Sequence, residues 1–142
     1  MLLLDVDVLV HAFRRESPRH EAYTRWLEGA LTGEESVGLP EVALAGLLRP
    51  TTNHRIYRDP STPEAALEFC DAVLDGGSAV RVRAGLRHWG IFCRLVRDHR
   101  LRANDVPDAS LAALALENAA TLVSTDRGLA RFGGLRLSPP LP

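Results

Sequence analysis

The chain opens on an apolar block, Met1 to Leu4, that ends abruptly at Asp5. A run without a polar residue reads as a strand buried on both faces, the kind that belongs in a parallel sheet. Val6 to Phe13 then reads as the start of a helix lying over that sheet. Ser17-Pro18 has the form of a cap followed by proline at the first helical position, opening a helix with Ala22, Trp26, Leu27 and Leu31 at helical spacing and Trp26 in the core. After a turn at Gly33 to Ser36, Val37-Gly38-Leu39 predicts a second strand. Pro40 opens the helix EVALAGLLR, and Arg49 to Tyr57 continues into a loop holding Arg58, Asp59 and Pro60. Thr62-Pro63-Glu64 is a second cap with proline and an acidic first turn, predicting a helix to about Leu74, stopped by Gly76-Gly77. Ala79 to Val82 is a third strand. A helix from Leu86 to His99 follows, with Leu86, Trp89, Phe92, Cys93 and Val96 as its inner stripe.

The last third is the most apolar. Only Ser110, Glu117 and Asn118 are polar between Ala109 and Ala120, which predicts a helix buried on most sides and opened by Asp108. Thr121 to Val123 is a core strand, Arg127 to Phe132 one helical turn, and Leu135 to Leu137 a short final strand. Strands alternating with helices throughout predict one domain spanning residues 1–142, a three-layer α/β fold with a mostly parallel central sheet.

That topology gives the acidic residues a meaning. In parallel sheets ligands sit beyond the carboxyl ends of the strands, and Asp5 and Asp126 each follow a strand. If both strands share one sheet, their aspartates share an edge, and the start of the Asp108 helix can lie beside them. Three carboxylates in one place raise one another's pKa, and a protein tolerates this mainly when a cation sits among them. Oxygen donors favour Mg²⁺ or Mn²⁺. Asp7 either supports the turn into its helix or adds a further carboxylate. Asp105 either caps the Asp108 helix or faces the same cation. Ser124-Thr125 precedes Asp126, and a hydroxyl there is placed to orient a carboxylate or a bound water.

Asp5 in LLLDVDVLV, Asp108 in NDVPDASLAALALE and Asp126 in STDRGLARF resemble the PIN domain, and within it the VapC toxins of toxin–antitoxin pairs. The resemblance extends through HEAYTRWLE, LLRPTTNHRIY and FGGLRLSPPLP, nearly the whole chain. It implies a PIN-like α/β/α fold and a metal-dependent endoribonuclease that uses Asp5, Asp108 and Asp126 on Mg²⁺ or Mn²⁺. It also implies structured RNA such as tRNA or ribosomal RNA as substrate, a cognate VapB-type antitoxin and a homodimer. Two positions depart from the family pattern. Asp7 stands where such toxins often have asparagine, and Gly46 stands where they usually carry a glutamate. Glu41 is the spare carboxylate on that helix, but residues five apart lie about 140° apart around a helix, so it substitutes only if the helix start lies nearer the cation. Otherwise it faces the macrodipole at the helix start.

Composition narrows the choices. At 46% apolar and 25% charged the chain is an ordinary globular domain, and its net charge of −1 means that any RNA contact comes from a local patch. Arg49, Arg55 and Arg58, with His54 and Tyr57 between them, form the best such patch by sequence, the alternative being a solvated loop. All 17 basic residues are arginine, which excludes mechanisms that need a lysine. DVDVL also fits the nucleophile motif of HAD-type phosphatases, but that chemistry normally uses a later lysine. A PIN-like domain that binds RNA or protein without cutting is the remaining alternative, and Gly46 is its motivation. Cys70 and Cys93 form no CxxC pair and read as buried thiols of a cytoplasmic protein. The apolar start is too short to span a membrane and meets Asp5 at once.

Overall fold

A computed structural model describes residues 1–142. Five parallel strands, β1 (Leu2–Leu4), β2 (Val37–Pro40), β3 (Ala79–Val82), β4 (Thr121–Val123) and β5 (Arg136–Ser138), form one sheet in the order β3-β2-β1-β4-β5. Six helices cover it: α1 (Val6–Phe13), α2 (His20–Thr32), α3 (Glu41–Thr51), α4 (Pro63–Leu74), α5 (His88–His99) and α6 (Val106–Glu117).

Alternation along the strands sorts the helices into layers. Leu4 and Val123 pack with Val8, Leu9, Leu27, Leu47 and Val73 of α1 to α4, whereas Leu3 and Leu122 pack with Leu95, Ala112, Ala113 and Phe132 on the α5 and α6 side. The run of small residues on α6 lets that helix lie close to the sheet. Ala109, Ala112, Ala113 and Ala115 are all fully buried. Gly38 has the same purpose inside β2, since a Cβ there would stand 2.9 Å from Leu3 Cδ1 and 3.1 Å from Val82 Cγ2.

The strand order reverses at β1, which pairs with β2 on one side and β4 on the other. The crevice beyond the ends of β1 and β4 is therefore the switch point where such sheets place their ligands.

The elements follow the apolar pattern, with local corrections. Ser17-Pro18 does not cap α2. The helix starts at His20 behind Arg19, whose φ of 60° is left-handed, and the Ser17 carbonyl accepts from the His20 amide at 3.1 Å in a tight turn. Trp26 is half-buried against the core, and Tyr23 is the aromatic that enters it. α3 runs on to Thr51 despite Pro50, helped by the Thr51 hydroxyl donating to the Leu47 carbonyl at 2.7 Å. α5 starts at His88 rather than Leu86. The Glu117 carboxylate accepts from the Gly85 and Arg87 amides at 2.9 and 3.1 Å and holds this stretch against the end of α6, so Leu86 and Trp89 lie exposed and Leu95 takes the buried position. β5 begins at Arg136, one residue late. Both cysteines are free, Cys70 buried and Cys93 half-buried. No helix is long and apolar enough to cross a membrane.

Candidate active site

Asp5 is fixed at the end of β1 by its own backbone, whose amide donates to the Val123 carbonyl at 3.0 Å. One carboxylate oxygen caps α1 by accepting from the Val6 amide at 2.6 Å, and the other accepts from the Ser124 hydroxyl at 2.7 Å. Burial and the neighbouring Asp7 push its pKa up to about 6, against the lowering effect of the Ser124 and Val6 hydrogen bonds, and Asp108 adds a smaller upward push. Asp5 has no ion-pair partner.

Asp7 supports the start of α1, as the turn reading expects, and its other oxygen reaches the end of β4. One oxygen accepts from the Val8 amide at 2.6 Å within α1, while the other accepts from the Thr125 amide at 2.8 Å, the Thr125 hydroxyl and, more distantly, Ser124 Oγ at 3.3 Å. Ser124, nearly fully buried, is the hub: it donates to Asp5 and accepts from the Asp126 amide at 3.0 Å.

Asp108 stands in the first turn of α6, after Pro107, and its carboxylate is taken by Arg131 at 2.9 Å. The same guanidinium lies 3.9 Å from Asp105, which makes no capping hydrogen bond to α6, contrary to the capping expectation. Asp126 caps the single turn Arg127–Arg131, accepting from the Gly128 amide at 2.8 Å. A Cβ at Gly128 would come within 2.9 Å of that Asp126 oxygen, so this close approach requires glycine.

The fold thus brings Asp5 and Asp7 together through Ser124 and Thr125, with Asp108 near enough to influence Asp5. Asp126 joins them through its backbone, while its side chain turns into its own loop. No three acidic, histidine or cysteine side chains stand close enough to hold one ion together. The chemistry of the donors nevertheless fits a hard divalent cation: every donor is oxygen, and the half-buried Asp5 carboxylate has no positive neighbour to balance it.

Beside Asp5 lies a cavity of about 330 Å³ lined by Val6, Val42, Gly46, Ser110 and Leu111 among others. Gly46 is therefore at the site. A Cβ there would meet Val6 Cγ2 at 3.4 Å, ordinary contact, so the position has room for a larger residue. Glu41 does not replace the missing carboxylate. It pairs with Arg83 at 2.7 Å, a hydrogen bond that holds its pKa below the usual glutamate range, and it lines a neighbouring cavity rather than this one.

Arg49 stands on the last turn of α3, and Arg55 and Arg58 on the loop after it, all three exposed and free of carboxylate partners. The loop is pinned from beneath. Buried Arg14 donates to Ser61 Oγ at 2.6 Å and to the Asp59 carbonyl at 2.8 Å, and its guanidinium lies 4.0 Å from the Tyr57 ring centroid. Tyr57 is thus committed to Arg14. Sequence reasoning placed an orienting hydroxyl at Ser124-Thr125 but missed Arg14 and Arg131. Only Arg131 left a trace, as a cation five residues after Asp126 in a site otherwise read as acidic.

Carboxylates at the switch point of a five-stranded parallel sheet define the class: an α/β domain with an acidic crevice beyond its strand ends. Residues 2–135 match the PIN domain, and the chain belongs to that family. It is 45% identical over 141 residues to Ribonuclease VapC43 of Mycobacterium tuberculosis, covering 99% of this chain and 96% of that protein. Ribonuclease VapC37 of the same organism is 38% identical over 140 residues, covering 99% and 97%. Among solved structures, VapBC2 from Rickettsia felis, bound to a DNA fragment from its promoter, superposes with a TM-score of 0.72 at 18% identity, covering 97% of each chain. VapC20 of Mycobacterium tuberculosis, described as a sarcin-ricin loop cleaving toxin, does so with a TM-score of 0.63 at 17% identity, covering 96% of this chain and 99% of that one. The α/β/α expectation therefore holds, with the sheet parallel throughout.

Proposed function

We propose that this protein is a metal-dependent endoribonuclease, the toxin of a VapBC-type pair, acting on structured RNA such as tRNA or ribosomal RNA. The observation that carries the reading is the half-buried Asp5 at the β1 end, which has no ion-pair partner and is coupled to Asp7 through Ser124 and to Asp108 across the crevice. Full-length relatives named as ribonucleases support it. Asp5, Asp108 and Asp126 would hold Mg²⁺ or Mn²⁺, with Asp7 adding charge beside them. The chemistry such an ion supplies is acidification of a water and neutralisation of charge at the phosphate.

The chain's own residues do the positioning. Ser124 holds the Asp5 carboxylate by its hydroxyl, while Thr125 ties Asp7 to the end of β4. Arg131 holds Asp108 until the crevice fills, and then becomes free to face phosphate. A VapB-type antitoxin is the partner this reading implies, in keeping with the toxin–antitoxin complexes among the solved structures that share the fold. A homodimer and a cytoplasmic location belong to the same reading.

The test is cleavage of total RNA by purified, antitoxin-free protein with Mn²⁺ or Mg²⁺ and with EDTA, beside Asp5→Asn and Asp108→Asn. Metal-dependent cutting lost in both variants is the expected result. A second reading, a PIN domain that binds without cutting, is favoured by the Arg131–Asp108 pair and by Gly46. It is the conclusion if no RNA is cut and calorimetry detects no Mn²⁺ binding.

A further inference from the structure

Beyond the end of β4, and sharing Ser124 and Thr125 with the acidic site, lies a second cavity of about 310 Å³. Its polar wall is made of Arg19, Tyr23, Ser124, Thr125 and Arg127, and its apolar wall of Leu137 with the prolines and leucine that follow. No acidic side chain lines it. Arg127 has neither an acidic side-chain partner nor a side-chain hydrogen bond, and Arg19 donates only to the main-chain oxygen of Pro142, at 3.2 Å. Both arginines are exposed, whereas Tyr23 is buried against α1 with its ring stacked 4.7 Å from His11.

A chain with net charge −1 has here placed two guanidiniums without acidic side-chain partners, and three hydroxyls, around one concavity. Such a set suits a phosphate, which guanidinium grips through paired hydrogen bonds. Ser124 and Thr125 belong to both places: they line this cavity and bond Asp5 and Asp7. We propose that the Arg19–Arg127 cavity is a subsite for one nucleotide of the substrate strand, adjacent to the phosphodiester at Asp5, with its phosphate between the two guanidiniums and its sugar and base against Leu137 and the proline wall. The acidic crevice repels a polyanion until a cation enters it, so the arginine cavity supplies the attraction that holds the strand beside it. This proposal rests on the ribonuclease reading.

The test compares Arg19→Asn, Arg127→Gln and the double variant, asparagine being a residue that accepts the left-handed backbone at position 19. Affinity for a labelled single-stranded oligoribonucleotide is measured in an Asp5→Asn background with Mg²⁺, across a salt series, and KM and kcat with Mn²⁺ in the parent background. The expected result is a Kd and KM raised about ten-fold per arginine, kcat changed less, and a log Kd against log salt slope reduced by about 0.7 per charge removed. Melting temperatures should stay with the parent, since both side chains are exposed. Unchanged affinity and salt slope would overturn the subsite, and so would loss of binding to poly-glutamate alone, which would assign the cavity to an acidic peptide. Arginine-dependent RNA affinity without any cleavage would instead sink the ribonuclease reading and leave the subsite standing.

Discussion

Replacing Asp5 by asparagine should make the metal-free protein more stable while abolishing its activity. An ordinary aspartate titrates near 3.8, and burial with Asp7 alongside raises Asp5 to about 6. At about 1.4 kcal/mol per pH unit, ionising Asp5 in the folded chain costs about 3 kcal/mol more than ionising it in the unfolded one. The folded state therefore binds this proton more tightly. Its contribution to stability is complete below pH 4, fades as the pH rises through about 6, and is gone at neutrality. Asparagine has no charge to lose. Its carbonyl oxygen can still accept from the Val6 amide, and Ser124 can turn its hydroxyl to accept from the new amide, so most of the local hydrogen bonding survives. Allowing for imperfect geometry, the gain at pH 7 should be about 1 to 3 kcal/mol, or roughly 3 °C in melting temperature per kcal/mol for a chain of this size.

The assay is thermal unfolding of both proteins in EDTA at intervals from pH 4 to 8, repeated with Mn²⁺. The gap between Asp5→Asn and the parent should open between pH 4 and 7 and then level off. Mn²⁺ should raise the parent by ligand linkage and leave the variant nearly unmoved. An Asp5→Asn protein less stable than the parent at pH 7, or a gap independent of pH, would show that the Asp5 carboxylate is already balanced in the fold and that no cation is wanted there.

Other perturbations read the same site from different sides. Gly46→Glu should place a carboxylate in the cavity beside Asp5, lowering metal-free melting through like-charge repulsion while tightening Mn²⁺ binding about ten-fold in calorimetry. Arg131→Gln releases Asp108; because that pair is partly exposed, stability should change by less than about 1 kcal/mol, while Mn²⁺ affinity rises several-fold by titration. Arg14→Met removes the buried guanidinium beneath the 52–61 loop, and should cost about 1 to 3 kcal/mol and speed tryptic cutting after Arg55 and Arg58.

The fold was legible because its signals are local. An apolar block ended by a carboxylate marks β1 and then β4 followed by its turn, proline after threonine starts α4, and alanine spacing buries α6. The positions of Asp5, Asp108 and Asp126 at the ends of elements follow from the same pattern. What the local pattern does not carry is how a side chain turns once it arrives. Asp126 accepts from an amide two residues on, a bond open to it only because residue 128 is glycine and leaves space for the carboxylate. Asp7 does the reverse and reaches across 118 positions of sequence to the Thr125 amide. The same competition misplaced the start of α5, where helical periodicity favours Leu86 but Glu117, 32 positions from Gly85, claims the amides first.

These long-range bonds also explain how a site with such unfavourable charge stays in place. Asp5 and Asp7 repel each other, yet each is tied by a backbone amide of α1 and by a hydroxyl or amide at the end of β4, so neither can relax toward solvent without leaving buried donors unpaired. Asp108 and Asp126 lack that double restraint, one resting on a partly exposed arginine and the other on a surface turn. The crevice is therefore half fixed and half adjustable. The fixed pair holds the negative potential at the end of β1, and under the proposed reading the adjustable pair would close on a cation there, at the cost of surface contacts that are individually weak.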